Sequence, residues 1–119
     1  MTSVITEIVI DCDVIERVAA FWAAALGWEP QREGEYIWMS QTGSPAELKL
    51  VFDHVPERKT VKNRVHLDVV TRGADQAEEV ERLIGLGAAR VDIGQGDVPW
   101  VVLADPEGNE FCALRRRID

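Results

Sequence analysis

Apolar and polar residues alternate with a period of two over residues 4–12, so Ile8, Ile10 and Cys12 share one side of a strand and Glu7, Val9 and Asp11 the other. The period then lengthens. Val14, Val18, Phe21, Trp22 and Ala25 form one helical stripe, with Asp13 as N-cap, Glu16 completing an Asp variant of the capping box, and Gly27 as the stop. Short strands are predicted near 28–32, 36–41 and 47–52, punctuated by Glu33-Gly34 and by Thr42-Gly43-Ser44-Pro45. The first half reads βαβββ.

Residues 53–63 are polar, contain Pro56 and show neither period, as a connector would. The pattern then restarts with a strand over 64–70 and a helix over 74–86, in which Ala77, Val80, Leu83 and Ile84 face inward and Gly87 is the stop. Strands near 88–93 and 98–104 follow. Leu26-Gly27 and Leu86-Gly87 lie 60 residues apart, and Trp38 and Trp100 lie 62 apart in the third strand of each half. Such spacing predicts an internal duplication, with module one over about 1–55 and module two over about 64–119 of a single 119-residue domain.

The chain closes on a hairpin. Residues 100–104 are β-rich, Asp105-Pro106-Glu107-Gly108 supplies turn chemistry, and 110–114 runs back with Glu110, Cys112 and Leu114 on a mixed face and Phe111 and Ala113 on an apolar one. Asp105 to Asn109 holds what a turn needs and is assigned no chemistry. Arg115-Arg116-Arg117 is expected as a charged end that keeps the last strand soluble.

One helix covers one face of a four-stranded sheet. The expected fold is therefore α+β, with two tandem βαβββ modules whose curved, mixed or antiparallel sheets turn their bare faces into a cleft and keep the helices outside. Such a cleft suits a small molecule.

Charge and cysteine content narrow the partners. A formal net charge of −8 argues against nucleic acid, and no apolar run reaches the length of a membrane helix. The first ten residues lack a secretory signal pattern, which gives a cytoplasmic expectation, and Cys12 and Cys112 are expected as buried thiols rather than a disulfide. Arg58, Lys59, Lys62 and Arg64 read as a solvated loop, with attraction of an anionic ligand as the alternative.

Three stretches, FWAAALGWEP (21–30), RVHLDVV (64–70) and LADPEGNEFCAL (103–114), together resemble the vicinal oxygen chelate superfamily, the glyoxalase and bleomycin-resistance group, and in particular its small glyoxalase-like members. The resemblance covers nearly the whole chain. It implies a homodimer and, in metal-dependent members, one ligand on the first and one on the last strand of each module. Carried over, those positions are Glu7, Lys49, His66 and Cys112, with Glu7 to His66 spanning 59 residues and Lys49 to Cys112 spanning 63. Lys49 has no lone pair to give at neutral pH and Cys112 must ionise, so no metal is favoured; a divalent ion, if held, would sit on Glu7 and His66, with Asp68 as a further ligand. Lys49 in an ion pair with Glu7 or Asp68 is the competing expectation.

Other roles follow from residue type. Trp38 and Trp100 offer flat faces for an aromatic ligand, Trp22 belongs to the helix core, and Trp28 closes the helix end. His66 beside Asp68 could act as an oriented general base, or be a structural histidine. Cys112 could be a nucleophile if His66 is its base. The sequence thus favours a metal-free binding protein that holds a small, partly aromatic or amphipathic molecule, with Trp38, Lys49, Asp68, Trp100 and Cys112 as ligand contacts and Glu7 and His66 as the catalytic pair should a reaction occur. The alternative is a divalent-metal-dependent glyoxalase-like lyase or isomerase. A third possibility is an accessory module whose cleft is a dimer interface.

Overall fold

Alternation in the first strand decides the architecture of the first half, because it leaves one apolar row for a helix to cover. A computed structural model describes residues 1–118 of the chain; Asp119, the last residue of the expected second module, lies outside the described residues. In the first half, β1 (Glu7–Cys12) leads into α1 (Ile15–Leu26), followed by β2 (Gln31–Glu33), β3 (Tyr36–Met39) and β4 (Lys49–His54). The sheet order is β1-β4-β3-β2, with β1 parallel to β4 and the other pairs antiparallel.

Register sorts the side chains. Ile8 pairs with Leu50 and Leu50 with Met39; Ile10 pairs with Phe52 and Phe52 with Ile37. These rows carry buried Leu50, Met39, Phe52 and Ile37 on the face that receives Val18, Phe21 and Trp22 of α1. Phe21 and Trp22 meet edge to face, with ring centroids 5.3 Å apart.

Several boundaries differ from the sequence expectation, each for a physical reason. β1 starts at Glu7, where pairing with β4 begins, and Val4 and Ile5 stay exposed. Asp13 is not the N-cap of α1. That position is Val14, in extended backbone with φ −118° and ψ 91°, whose side chain cannot accept a capping bond, while Asp13 lies beside His54 with an oxygen 3.9 Å from Nε2. Val14 is correspondingly exposed rather than part of the apolar stripe. His54, expected in the connector, ends β4. Gly27 does close the helix, at φ 70°, with its N–H and that of Trp28 both donating to the Ala23 carbonyl.

The second half repeats the order with β5 (Leu67–Arg72), α2 (Gln76–Leu86), β6 (Ala89–Arg90), β7 (Val101–Ala104) and β8 (Glu110–Ile118). Its sheet runs β5-β8-β7-β6, with β5 parallel to β8. The chain is thus two βαβββ modules of an α+β fold. By packing it divides into a unit over Met1–Arg58 and a second beginning at Lys59.

The full capping box sits on α2. Asp75 accepts from the Glu78 N–H at 2.8 Å, and the Glu78 side chain reaches back to the Asp75 N–H. Val80 and Leu83 are buried, whereas Ala77, expected inward, is exposed. Leu67, Phe111 and Leu103 form one cross-strand row, and Val69, Ala113 and Val101 form the next. Strand β6 is shorter than expected because the following backbone N–H groups turn to side chains: Ile93 to Gln95 and Gly94 to Asp92, each at 2.8 Å. Strand β8 is longer than expected. Arg115, Arg116 and Arg117 lie within it, Arg117 pairing with Thr71 after an irregularity between Val69 and Thr71.

Asp105 organises the last hairpin. Its buried carboxylate accepts from the N–H groups of Glu107 and Asn109, each at 3.0 Å, and from the Asn109 side-chain amide. Gly108, at φ 90°, donates to the Asp105 carbonyl and closes the turn.

Candidate functional site

The helix-free face of the first sheet carries a pocket of about 460 Å³. Its floor is a cross-strand row in which Val9 pairs with Val51 and Val51 with Trp38. Strand alternation places this row opposite the one that packs on α1. The Trp38 indole N–H donates to Glu33 Oε2 at 3.1 Å, which fixes the ring.

Charged rows flank the floor. On one side Glu7 pairs with Lys49, whose ammonium donates to the Pro45 carbonyl at 2.8 Å. Among the described residues no carboxylate forms an ion pair with Lys49, so the expected pairing with Glu7 or Asp68 gives way to this backbone contact. On the other side Asp11 pairs with Asp53, and Asp53 also lines the pocket. Glu7, Glu33 and Asp53 thus set three carboxylates against the single ammonium of Lys49 around an apolar, aromatic floor.

In the second unit, three further candidates converge. Asp68 on β5 and Cys112 on β8 are direct cross-strand partners, and His66 precedes β5 on the same face. His66 Nδ1 lies 3.4 Å from Asp68 Oδ1 and 3.9 Å from Cys112 Sγ. The ligating atoms of all three fall within 4.8 Å of one another. Cys112 is 3% exposed, and its burial raises the thiol pKa, with the neighbouring Asp68 carboxylate adding to the rise and Lys62 opposing it. A thiol held in this way is protonated at neutral pH and is a poor nucleophile. The arrangement fits a carboxylate-oriented imidazole better than a Cys–His nucleophile.

Two residues before Cys112, Glu110 is buried and forms an ion pair with Lys59, while the Asn63 N–H donates to its other oxygen at 3.1 Å. Lys59 is therefore not part of a solvated basic loop. Trp100 stands 40% exposed just before β7. Cys12 and Cys112 are both buried thiols outside any disulfide, and the Cys12 S–H donates to the Ile10 carbonyl at 3.3 Å.

The metal positions implied by the resemblance can be tested on donor chemistry. Lys49 offers an ammonium already committed to Pro45, so a four-ligand site through Glu7, Lys49, His66 and Cys112 does not fit this chain. The gathered donors are His66, Asp68 and Cys112.

Of the residues the sequence placed in a cleft, Glu7, Trp38 and Lys49 line this pocket, together with Val51, Asp53, Glu33 and Tyr36, which the sequence left out. Alternation along β4 was the available signal, since Lys49, Val51 and Asp53 share a face. The contact of Asp68 with Cys112 depends on the register of a parallel pair, which no local pattern encodes.

The profile of the glyoxalase-like domain family matches residues 7–114. No curated protein matches the chain. Among solved structures, a hypothetical protein from S. aureus, SA1046, superposes with a TM-score of 0.67 at 18% identity over 98% of this chain and 95% of that one. The fosfomycin resistance protein FosX from Mesorhizobium loti gives 0.69 at 12% identity, covering 95% and 92%. A glyoxalase/bleomycin resistance protein/dioxygenase family enzyme from Burkholderia phytofirmans PsJN gives 0.64 at 17%, covering 91% and 94%. At these identities the likeness is one of fold.

Proposed function

Because this chain belongs to the glyoxalase-like domain family of the vicinal oxygen chelate superfamily, we propose that it binds a small, partly aromatic or amphipathic molecule on the open face of its first sheet. One observation carries the reading: a pocket of about 460 Å³ whose floor is Val9, Val51 and Trp38 and whose rim is charged. That volume falls in the range of small-molecule sites, and an apolar floor with few polar groups is their usual composition. Trp38, pinned by Glu33, presents a pre-ordered ring for stacking at little entropic cost. Glu7 and Lys49 then orient the polar end of the ligand.

The relatives' names support a small-molecule role without specifying this ligand. FosX is described as a fosfomycin resistance protein, and another neighbour is described as the oxidase ChaP-H2. A cytoplasmic address and a homodimer complete the proposal, the latter checked by sedimentation.

Titration of aromatic amphiphiles against intrinsic tryptophan fluorescence tests the reading. Saturable quenching that is strongly reduced in Trp38→Phe is the expected result. Equal quenching and affinity in the wild type and Trp38→Phe would remove the basis of the proposal.

A further inference from the structure

We propose that residues 59–63 form a strap that closes the helix-free face of the second sheet and opens as a unit while the rest of the chain stays folded. The inference goes beyond the ligand-binding reading and does not depend on the pocket of the first sheet. It concerns a second face, shut where the first is open.

A single carboxylate holds both ends of the strap. Glu110 takes the Lys59 ammonium on one oxygen and accepts from the Asn63 backbone N–H on the other, the latter at 3.1 Å. Between these two anchors Thr60, Val61 and Lys62 are exposed, and Val61 keeps 75% of its surface in water. Among the described residues no backbone-to-backbone hydrogen bond fixes residues 59–63, and the Lys62 ammonium donates to its own neighbour, the Asn63 carbonyl, at 3.2 Å. A segment with exposed apolar groups and no backbone pairing opens at a lower free energy than the packed strands beside it. Release therefore takes the loss of one latch rather than of a strand.

Burial on the strapped face is the second argument. Strand alternation turns Phe111 and Leu103 toward α2, and it turns Glu110, Ala104, Cys112 and Val102 to the opposite face. All four of these are buried, although they point away from the helix. The corresponding face of the first sheet leaves Val9 half exposed and carries the open pocket. The strap anchors on the row that pairs Ala104 with Glu110, and its charge reaches the next row: burial raises the Cys112 pKa, and Lys62 opposes that rise. When the strap lifts, the Glu110 carboxylate meets water together with Val102 and Ala104, an apolar floor with one polar group of the kind small molecules occupy. Closed, the strap withholds it.

Pulse labelling of the two thiols provides the test, because Cys112 lies on the strapped face and Cys12 is a buried thiol of the first unit. Full-length protein is exposed to N-ethylmaleimide for timed intervals in increasing urea below the unfolding transition, and mass spectrometry of its peptides reads each cysteine separately. Cys112 should label at a rate that urea barely changes, the sign of a local opening. Cys12 should follow the steep urea dependence of global unfolding. Lys59→Gln, checked for native circular dichroism, should speed Cys112 labelling by about tenfold or more, the scale of a lost hydrogen bond to a charged group, and leave its urea dependence shallow. An equally steep urea dependence at both cysteines, or a Cys112 rate unchanged by Lys59→Gln, would overturn the proposal. If Lys59→Gln fails to fold, the urea dependence of the two thiols in the wild type decides alone.

Discussion

Lys59 places its ammonium against the carboxylate of Glu110, tying the segment that follows the first unit to the final strand of the second. Glu110 is 6% exposed and Lys59 21%, so the pair is largely out of water, and the Asn63 N–H satisfies the second carboxylate oxygen. Removing one partner of such a pair leaves an uncompensated buried charge. Lys59→Met should therefore destabilise the protein by about 3 kcal/mol in urea denaturation, and the double variant Lys59→Met/Glu110→Leu should recover much of that loss.

The same pair sets a pH dependence. Burial alone would raise the Glu110 pKa, but the hydrogen bonds from Lys59 and the Asn63 N–H outweigh it and hold the carboxyl below its ordinary range. The unfolded chain then binds a proton at higher pH than the folded one. The stabilisation is complete above the unfolded carboxylate pKa and disappears as pH falls through the lower, folded value. Urea midpoints measured between pH 7 and pH 3 should fall with acid in the wild type and fall less steeply in Glu110→Gln.

Helix capping gives a third prediction, and it shows where local sequence misleads. Asp13 with Glu16 and Asp75 with Glu78 have the same spacing, yet only the second pair closes a capping box. Asp75→Ala should cost about 1 kcal/mol in thermal or urea unfolding. At the start of α1, Val14 holds the cap position in extended backbone, so Val14→Asp should stabilise by about 0.5 to 1 kcal/mol.

The duplicated order of elements was legible because burial writes its period into the chain: Ile8, Ile10 and Cys12 in β1, and Val18, Phe21 and Trp22 in α1, mark their faces without reference to anything distant. The first-sheet pocket was half legible for the same reason, through Glu7, Lys49 and Trp38. What stayed hidden depends on pairing across long separations. Lys59 reads as one more surface base until β8 presents Glu110, and Asp68 becomes a neighbour of Cys112 only through the parallel register. Asp13 shows the opposite failure, a correct local motif overridden by where the helix begins.

Charge around the first-sheet pocket predicts ligand preference. Glu7, Glu33 and Asp53 face one ammonium, Lys49, and Asp11 stands opposite Asp53 in the adjacent row, adding further negative potential. The floor of Val9, Val51 and Trp38 is indifferent to charge, so two aromatic probes of equal size and opposite sign should differ only through the rim. A cationic probe should bind several-fold more tightly than its anionic counterpart, and Lys49→Met should widen the gap while Glu7→Gln narrows it. Because these rim groups meet solvent, raising the salt to about 0.5 M should shrink the preference without abolishing binding to the apolar floor. Equal affinity for both probes at low salt would show that the carboxylates do not reach the bound molecule.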